Sequence, residues 1–170
     1  MIAIRRAGAG DSEPLSRIAT KTFVETFGHL YKEEDLSAFL RKSHSAAVYA
    51  KLLADPAFAL WLAENSVSDI AGYMVAGPCS LPVPDRPLNS GELARLYLLE
   101  AHKGEGLGAR MLDVALEWLK GRYTHIFLSV YYANARAQRL YQSRGFVKIA
   151  DYFYMVGDHA DPEWIMELRQ

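Results

Sequence analysis

The chain has 170 residues, 51% of them hydrophobic and 23% charged, and this composition predicts one globular domain over residues 1–170 rather than a disordered chain. The net charge of −1 removes the electrostatic argument for nucleic acid or an anionic membrane as a partner. Because Cys79 is the only cysteine and no long apolar run occurs, we expect no disulfide, no signal peptide, no membrane span and a cytoplasmic location.

The first half of the chain predicts a strand, three helices and two further strands. Alternation in "IAIRRA" indicates a strand over residues 2–7. Asp11 and Ser12 are suited to cap a helix that ends at Gly28, and two more helices are predicted over residues 33–41 and 46–53. The stretches "AFALWLAE" and "DIAGYMVA" then predict neighbouring strands joined by a turn over residues 65–68.

The second half alternates between strand and helix patterns. Four prolines predict a loop over residues 77–91, and "ELARLYLL" predicts the strand that follows it. An amphipathic helix is expected from Leu107 to about Gly121, a buried strand over "HIFLSVY", and a short helix capped by Asn134 and closed by Gly145. "FVKIADYFYMV" and "EWIMELR" complete an α/β chain with a mixed sheet and helices on both faces.

Glycines alternate in the stretch "HKGEGLGARML", between the predicted strand and the amphipathic helix. Gly104, Gly106 and Gly108 allow unusual backbone angles and a close approach to a ligand. Amide groups at such a junction, together with the positive end of the helix dipole, favour a bound phosphate. Without a ligand, the same glycines would simply form a tight turn.

Two common nucleotide-binding motifs fit this stretch poorly. A Walker P-loop requires a lysine followed by serine or threonine after the glycines, and this chain has neither there. The run from Gly104 to Ala109 does match GxGxxG/A, but a dinucleotide site also needs an acidic residue about 20 positions later. That region is "FLSVYYA" and carries no carboxylate.

The stretch resembles the acetyl-CoA loop of the GNAT acetyltransferase superfamily, whose pattern is Gln/Arg-x-x-Gly-x-Gly/Ala. Lys103 replaces the usual arginine or glutamine and keeps the positive charge. The later stretch "NARAQRLYQSRGF" carries the Asn, Ala, Tyr and Gly-Phe spacing common in GNAT proteins. The resemblance implies a central mixed sheet of six to seven strands, with one strand splayed away at the acetyl-CoA site.

The resemblance also implies an acetyl-CoA site. In the family, the pyrophosphate lies on the glycine loop and the pantetheine arm pairs with the splayed strand like an added strand. An N–H of Leu98 would then face the thioester oxygen and stabilise negative charge on it. The residues implied to bind the cofactor are Leu96, Tyr97, Leu98, Lys103, Gly104, Glu105, Gly106, Leu107, Gly108, Ala109 and Asn134.

Acetyl transfer to an amine needs a base for the amine proton and help for the departing thiolate. Glu92 and Glu25 are the candidate bases, although each taken alone is better explained as a solvated carboxylate. GNAT enzymes often use a tyrosine near the sulfur, and Tyr141 matches that position. Tyr141 would donate a proton or only a hydrogen bond, or it would simply pack.

The acceptor is expected to be a small primary amine that attacks acetyl-CoA directly. The segments "ETF" and "FYM-GD" to "D…IM" more loosely resemble the bacterial Pai-type spermidine/spermine N-acetyltransferases. Acidic residues that would suit a polycation, or equally be ordinary surface charges, are Glu25, Glu33, Glu34, Asp35, Asp158 and Asp161; Tyr31, Tyr152 and Tyr154 would wall an amine channel or simply pack.

Two other functions stay open: a peptide or protein N-acetyltransferase, and a non-catalytic acyl-CoA-binding sensor. The loop over residues 77–91 would shape or block a peptide groove. The five histidines lack metal-ligand spacing, so we expect no metal. The aromatic residues of the last two strands would leave an apolar edge exposed, which favours a homodimer.

Overall fold

Seven strands form a single sheet in the described part of the chain. The structure is a computed structural model that describes residues 1–65 and 69–169, so most of the turn predicted over residues 65–68 lies outside the described residues. The strand order is β1-β2-β3-β4-β5-β7-β6. The strands are β1 (Ala3–Arg6), β2 (Ala59–Glu64), β3 (Ile70–Pro78), β4 (Ser90–Leu98), β5 (His125–Tyr131), β6 (Phe146–Val156) and β7 (His159–Leu168).

Five helices cover the two faces of the sheet. They are α1 (Ser12–Phe27), α2 (Glu33–Ser43), α3 (Ala46–Ala54), α4 (Leu107–Lys120) and α5 (Ala135–Ser143), with single 3-10 turns at Ala9–Asp11, Gly28–Leu30 and Glu100–His102. The predicted strands and helices are present within a few residues of their expected bounds. Asp11 differs in its role: it precedes α1, but its carboxylate accepts from Arg5 and from the Gly8 amide instead of capping the helix.

Alternation along the strands separates two layers of core. On β2, Trp61 and Ala63 pack into the layer beneath α4, whereas Leu60 and Leu62 pack beneath α1 and α3. Period-two alternation produces this pattern because successive strand side chains point to opposite faces. The mixed α/β sheet with helices on both faces, expected from the sequence, is therefore confirmed.

Strands β4 and β5 are parallel, and they pair over only a short stretch. Their ladder runs from Ser90 opposite His125 to Leu93 opposite Leu128 and stops there. Strand β4 continues for five more residues while paired with β3 on its other edge. The splayed strand implied by the family resemblance is therefore present, and a cleft opens between the two halves of the sheet.

A β-bulge marks the point where β4 leaves β5. The β3–β4 register passes from Ala76 opposite Leu93 to Val75 opposite Arg95 and skips Ala94. A bulge shifts the alternation by one residue. As a result Glu92 and Arg95, three residues apart, lie on the same face of the sheet and line the same cavity.

Strand β6 lies at the edge of the sheet and exposes several large apolar side chains. Phe153 is 66% exposed, Met155 53% and Tyr154 39%. The homodimer expected from this strand pair stays a prediction.

Among residues 1–65 and 69–169, no helix has the length and apolar character needed to cross a membrane.

Candidate active site

A cleft with a volume of about 390 Å³ lies between β4 and β5. One wall is the part of β4 beyond the bulge, including Leu96 and Leu98, and the other is the end of β5 with the start of α5. The Leu99 amide donates to Ala71 of β3, and successive amides of a strand point to opposite edges. The N–H groups of Leu96 and Leu98 therefore point into the cleft without a ladder partner.

The glycine loop forms one end of this cleft. Gly104 and Gly106 have φ angles of +89° and +83°, which few residues other than glycine adopt. A Cβ built at either glycine would have no protein atom within 4 Å, so open space lies beside the backbone. Gly106 also precedes α4 and has no side chain to cap it, which leaves the amides of its first turn available to an anion.

Besides Arg95 of β4, two cationic side chains line the cleft. Lys103, predicted to face the phosphates, is held by an ion pair of 2.8 Å to Glu100. Arg136 on α5 also lines the cleft. It was not selected from the sequence, although its position within the "NARAQRLY" motif could have identified it. Glu105 is exposed and lies outside the lining, and the Leu107 side chain packs into the core.

The α5 residues expected at the site lie on the cleft wall. The Asn134 side chain accepts a hydrogen bond of 3.2 Å from the Ala137 amide and so caps the helix. Tyr141 is buried with its ring against Phe146, and its hydroxyl makes no hydrogen bond to another described residue. Burial, and to a smaller extent the charge of Glu163, raises the pKa of the Tyr141 phenol well above its ordinary value.

A second cavity of about 380 Å³ adjoins the cleft on the α1 side of the sheet. Aromatic side chains of α1, α2 and β6 form much of its wall, and the loop after β3 contributes Ser80, Leu81 and Pro82. The two cavities meet at six residues that line both of them: Phe27, Ala94, Arg95, Tyr97, Ser129 and Glu163.

The two carboxylates selected from the sequence lie in different surroundings. Glu92 is buried in the second cavity and accepts hydrogen bonds from the Ser80 amide at 2.9 Å and from its hydroxyl at 3.3 Å. Burial raises the pKa of the Glu92 carboxyl, and the hydrogen bonds from Ser80 oppose that shift. Glu25 lines neither cavity, because its carboxylate accepts from the Glu100 amide at 2.9 Å.

A third carboxylate, Glu163 on β7, lies where the two cavities meet, and the sequence reasoning missed it. It stands opposite Tyr131 of β5 and Tyr152 of β6 in the sheet. Burial raises the pKa of the Glu163 carboxyl to about 7, a shift opposed by the Ser129 hydroxyl and reinforced by Asp161. This group therefore changes its protonation near neutral pH while facing both cavities.

Of the residues expected to surround an amine, only some reach the second cavity. Asp161 is buried there, hydrogen-bonded to the Tyr31 hydroxyl and 2.7 Å from His159 Nδ1, and Tyr152 and Tyr154 line the wall. The residues that line neither cavity are Glu33, Glu34, Asp35, Asp158 and Tyr31 itself. No cluster of three or more His, Cys, Asp or Glu that could hold a metal ion occurs among residues 1–65 and 69–169.

Comparison with known proteins agrees with this geometry. Residues 17–146 match the model of the acetyltransferase (GNAT) family. An N-acetyltransferase of Lactobacillus delbrueckii subsp. lactis is 26% identical over 153 residues, covering 88% of this chain and 87% of that protein. A spermine/spermidine N(1)-acetyltransferase of Bacillus subtilis is 34% identical over 82 residues, covering 46% of this chain and 53% of that protein.

Solved structures show the same fold. The PaiA N-acetyltransferase of Thermoplasma acidophilum, solved in complex with coenzyme A, superimposes with a TM-score of 0.78 at 21% identity. The match covers 100% of this chain and 99% of that one. With the family model spanning most of the sequence and the splayed sheet in place, the chain belongs to the GNAT acetyltransferase family and is an N-acetyltransferase.

Proposed function

We propose that the chain transfers the acetyl group of acetyl-CoA to the primary amine of a small molecule by direct attack. The observation that carries this proposal is the meeting of the two cavities at Glu163. One cavity has the backbone features that suit CoA, and the other is large enough for an amine. A carboxylate that titrates near neutral pH lies at their junction.

The open space beside Gly104 and Gly106 gives the cleft room for a phosphate group of CoA. We assign the pyrophosphate to that space, where the amides of residues 107–109 and the α4 dipole would hold it. Lys103 and Arg136 would add positive charge, and the Asn134 end of α5 would flank the arm. When bound, acetyl-CoA supplies the acetyl group as an activated thioester.

The edge of β4 would hold the pantetheine arm. The amides of Leu96 and Leu98 face the cleft without ladder partners, so an extended arm can pair with this edge, with Tyr97 on the strand between them. The Leu98 N–H would donate to the carbonyl oxygen and stabilise the negative charge that develops there as the amine nitrogen bonds to the carbon.

Glu163 is our preferred general base. A protonated amine cannot attack, and the half-buried Glu163 carboxylate can accept its proton at neutral pH. Glu92 also faces the second cavity, but two hydrogen bonds from Ser80 already engage one of its oxygens. Glu25 is used to cap the turn at Glu100 and lies outside the cavities. Its geometry gives the least support for the role.

Tyr141 would stabilise the CoA thiolate once the carbon–sulfur bond breaks. Its raised pKa makes the phenol a weaker acid than usual, so complete proton transfer to the sulfur is unfavourable. A hydrogen bond from the hydroxyl to the sulfur has no such cost. We therefore assign Tyr141 a hydrogen-bonding role at the leaving group.

Polyamines are a second acceptor class with specific support. Glu92, Asp161 and Glu163 all line the acceptor cavity, and negative charge favours a polycation. The spermine/spermidine acetyltransferase relative points the same way. A peptide acceptor has less support, because Ser80, Leu81 and Pro82 of the loop after β3 form part of the wall of the acceptor cavity. The N-acetyltransferase relatives favour an enzyme over a sensor.

Gly106→Asn tests the phosphate-binding loop. Asparagine tolerates a positive φ, so the variant should fold while its side chain fills the open space. We expect CoA affinity, measured by calorimetry, to fall at least tenfold, or about 1.4 kcal/mol. Gly10→Asn is the control, since a Cβ there also meets nothing and Gly10 lines neither cavity. Equal affinities for both variants would contradict the loop assignment.

Glu163→Gln tests the general base through its pH dependence. A base works only when deprotonated, so wild-type kcat/KM should fall about tenfold per unit as the pH drops below about 7. The amine's own titration near 10 is well separated. In Glu163→Gln this fall of kcat/KM at acidic pH should disappear, and the rate should be lower by roughly 10²-fold. If the fall disappears in Glu92→Gln instead, Glu92 is the base and our assignment is wrong.

Tyr141→Phe tests the leaving-group role, since it removes one oxygen and keeps the ring. CoA affinity should hardly change, because the hydroxyl acts only once the sulfur carries charge. Turnover should fall about tenfold to a hundredfold, as for the loss of a hydrogen bond to a charged group.

An acyl donor with a more acidic thiol should show a smaller loss, since a better leaving group needs less help. Tyr123→Phe is the matched control, because Tyr123 packs against Gly91 and lies outside both cavities. Wild-type turnover in Tyr141→Phe would mean that Tyr141 only packs.

A further inference from the structure

Arg95 is a cation in the acceptor cavity without an anionic partner. The β4 bulge turns its side chain to the α1 side of the sheet, where it is half-buried and lines both cavities. No carboxylate of residues 1–65 or 69–169 lies within the 4.0 Å of an ion pair with it. The arginine and lysine side chains that do form ion pairs in the described part of the chain are Arg5, Lys103, Arg144, Lys148 and Arg169.

The neighbours of Arg95 are aromatic and uncharged. Its Nη1 donates to the Tyr49 hydroxyl at 2.9 Å, and its guanidinium lies 5.5 Å from the centre of the Tyr49 ring. The Tyr49 hydroxyl also lies 2.8 Å from His44 Nδ1. Burial, with a smaller effect of Arg95, lowers the pKa of His44 to about 3, so this imidazole is neutral at physiological pH. The groups in direct contact with Arg95 therefore do not neutralise its charge, and Glu92, which lines the same cavity, acts on it only from beyond ion-pair distance.

A half-buried guanidinium that has no ion-pair partner favours the binding of an anion. Removing a charge from water is costly unless an opposite charge and hydrogen bonds replace the solvent. Arginine has five N–H donors, and Arg95 uses one hydrogen bond to described side chains, that to Tyr49. A carboxylate matches the remaining donors because it can accept two parallel hydrogen bonds from a guanidinium.

The same cavity offers negative charge and apolar walls elsewhere. Glu163 and Asp161 are carboxylates of β7 and would attract an ammonium group toward the junction with the CoA cleft. Phe23, Phe27 and Phe39 supply an aromatic wall beside them. Arg95 on β4 and the two β7 carboxylates lie on separate strands, and with the apolar wall they match a zwitterion with an apolar body. Glu92 shares β4 with Arg95, but one of its carboxylate oxygens already accepts two hydrogen bonds from Ser80. A polyamine would instead bring a second ammonium toward Arg95 and be repelled there.

We propose that the acceptor is a small amine that also carries a carboxylate, in the manner of an apolar α-amino acid, and that Arg95 binds this carboxylate. The inference rests on the proposed amine acetylation and specifies its substrate class. Arg95 thereby selects the acceptor and orients its amine toward Glu163.

Matched pairs of amines that differ only in a carboxylate test the proposal. Suitable pairs are L-phenylalanine with phenethylamine, L-leucine with 3-methylbutylamine, and L-alanine with ethylamine; spermidine serves as a polycation. Acetylated product is measured by mass spectrometry with acetyl-CoA. We expect wild-type kcat/KM to favour the amino acid in at least one pair by tenfold or more, and to favour it over spermidine.

Substitution of Arg95 identifies the group responsible. Arg95→Gln should bring the ratio within the favoured pair close to one, whereas Arg95→Lys, which keeps the charge, should restore much of it. If Arg95 only joined β4 to α3, Arg95→Gln would reduce kcat/KM equally for both members of a pair and would lower the melting temperature. That result, with the ratio unchanged, would overturn the proposal.

Other outcomes separate this inference from the proposed function. Preference for spermidine or for the amines without a carboxylate would overturn the inference and leave amine acetylation standing. If no amine is acetylated, the proposed function fails. The inference is then decided by calorimetry, which measures how tightly each member of a pair binds to the CoA-bound protein. Equal binding within every pair, or binding indifferent to Arg95→Gln, would then contradict it.

Discussion

The early end of the β4–β5 ladder is the constraint on which the rest of the site depends. Past Leu93 and Leu128, the two halves of the sheet separate and the inner edge of β4 keeps unpaired amides. Buried backbone amides normally find a partner, so this edge favours an extended ligand. The cleft, the glycine loop at its end and α5 on its far wall all follow from the same separation.

The bulge at Ala94 connects the cofactor edge to the acceptor cavity. It shifts the alternation of β4, so Glu92 and Arg95 face the α1 side while Leu96 and Leu98 pack toward α4. In the proposed site, one strand thus offers backbone donors to the cofactor and charged side chains to the acceptor. The carboxylate at the junction comes from the opposite half of the sheet, on β7. The proposed reaction centre therefore draws residues from both halves of the sheet.

Local patterns predicted most of the fold, and non-local arrangements account for what was missed. The alternation around Trp61, the apolar run of β5 and the alternate glycines each identify an element or loop from neighbouring residues alone. Glu163 was missed because β7, and not β6, lies beside β5, which no short stretch reveals. Arg95 was missed because a bulge is invisible in the alternation pattern. Glu25 was selected by position, yet it binds a turn 75 residues away.

Amide hydrogen exchange of β4, followed by NMR with and without CoA, tests the central claim most directly. Leu96 and Leu98 amides should exchange quickly in the free protein and at least tenfold more slowly when CoA is saturating, because the pantetheine arm pairs with them. The Tyr97 amide, which faces β3, should exchange slowly in both states. If CoA binds by calorimetry and leaves the exchange of Leu96 and Leu98 unchanged, the open edge of β4 is not the cofactor site.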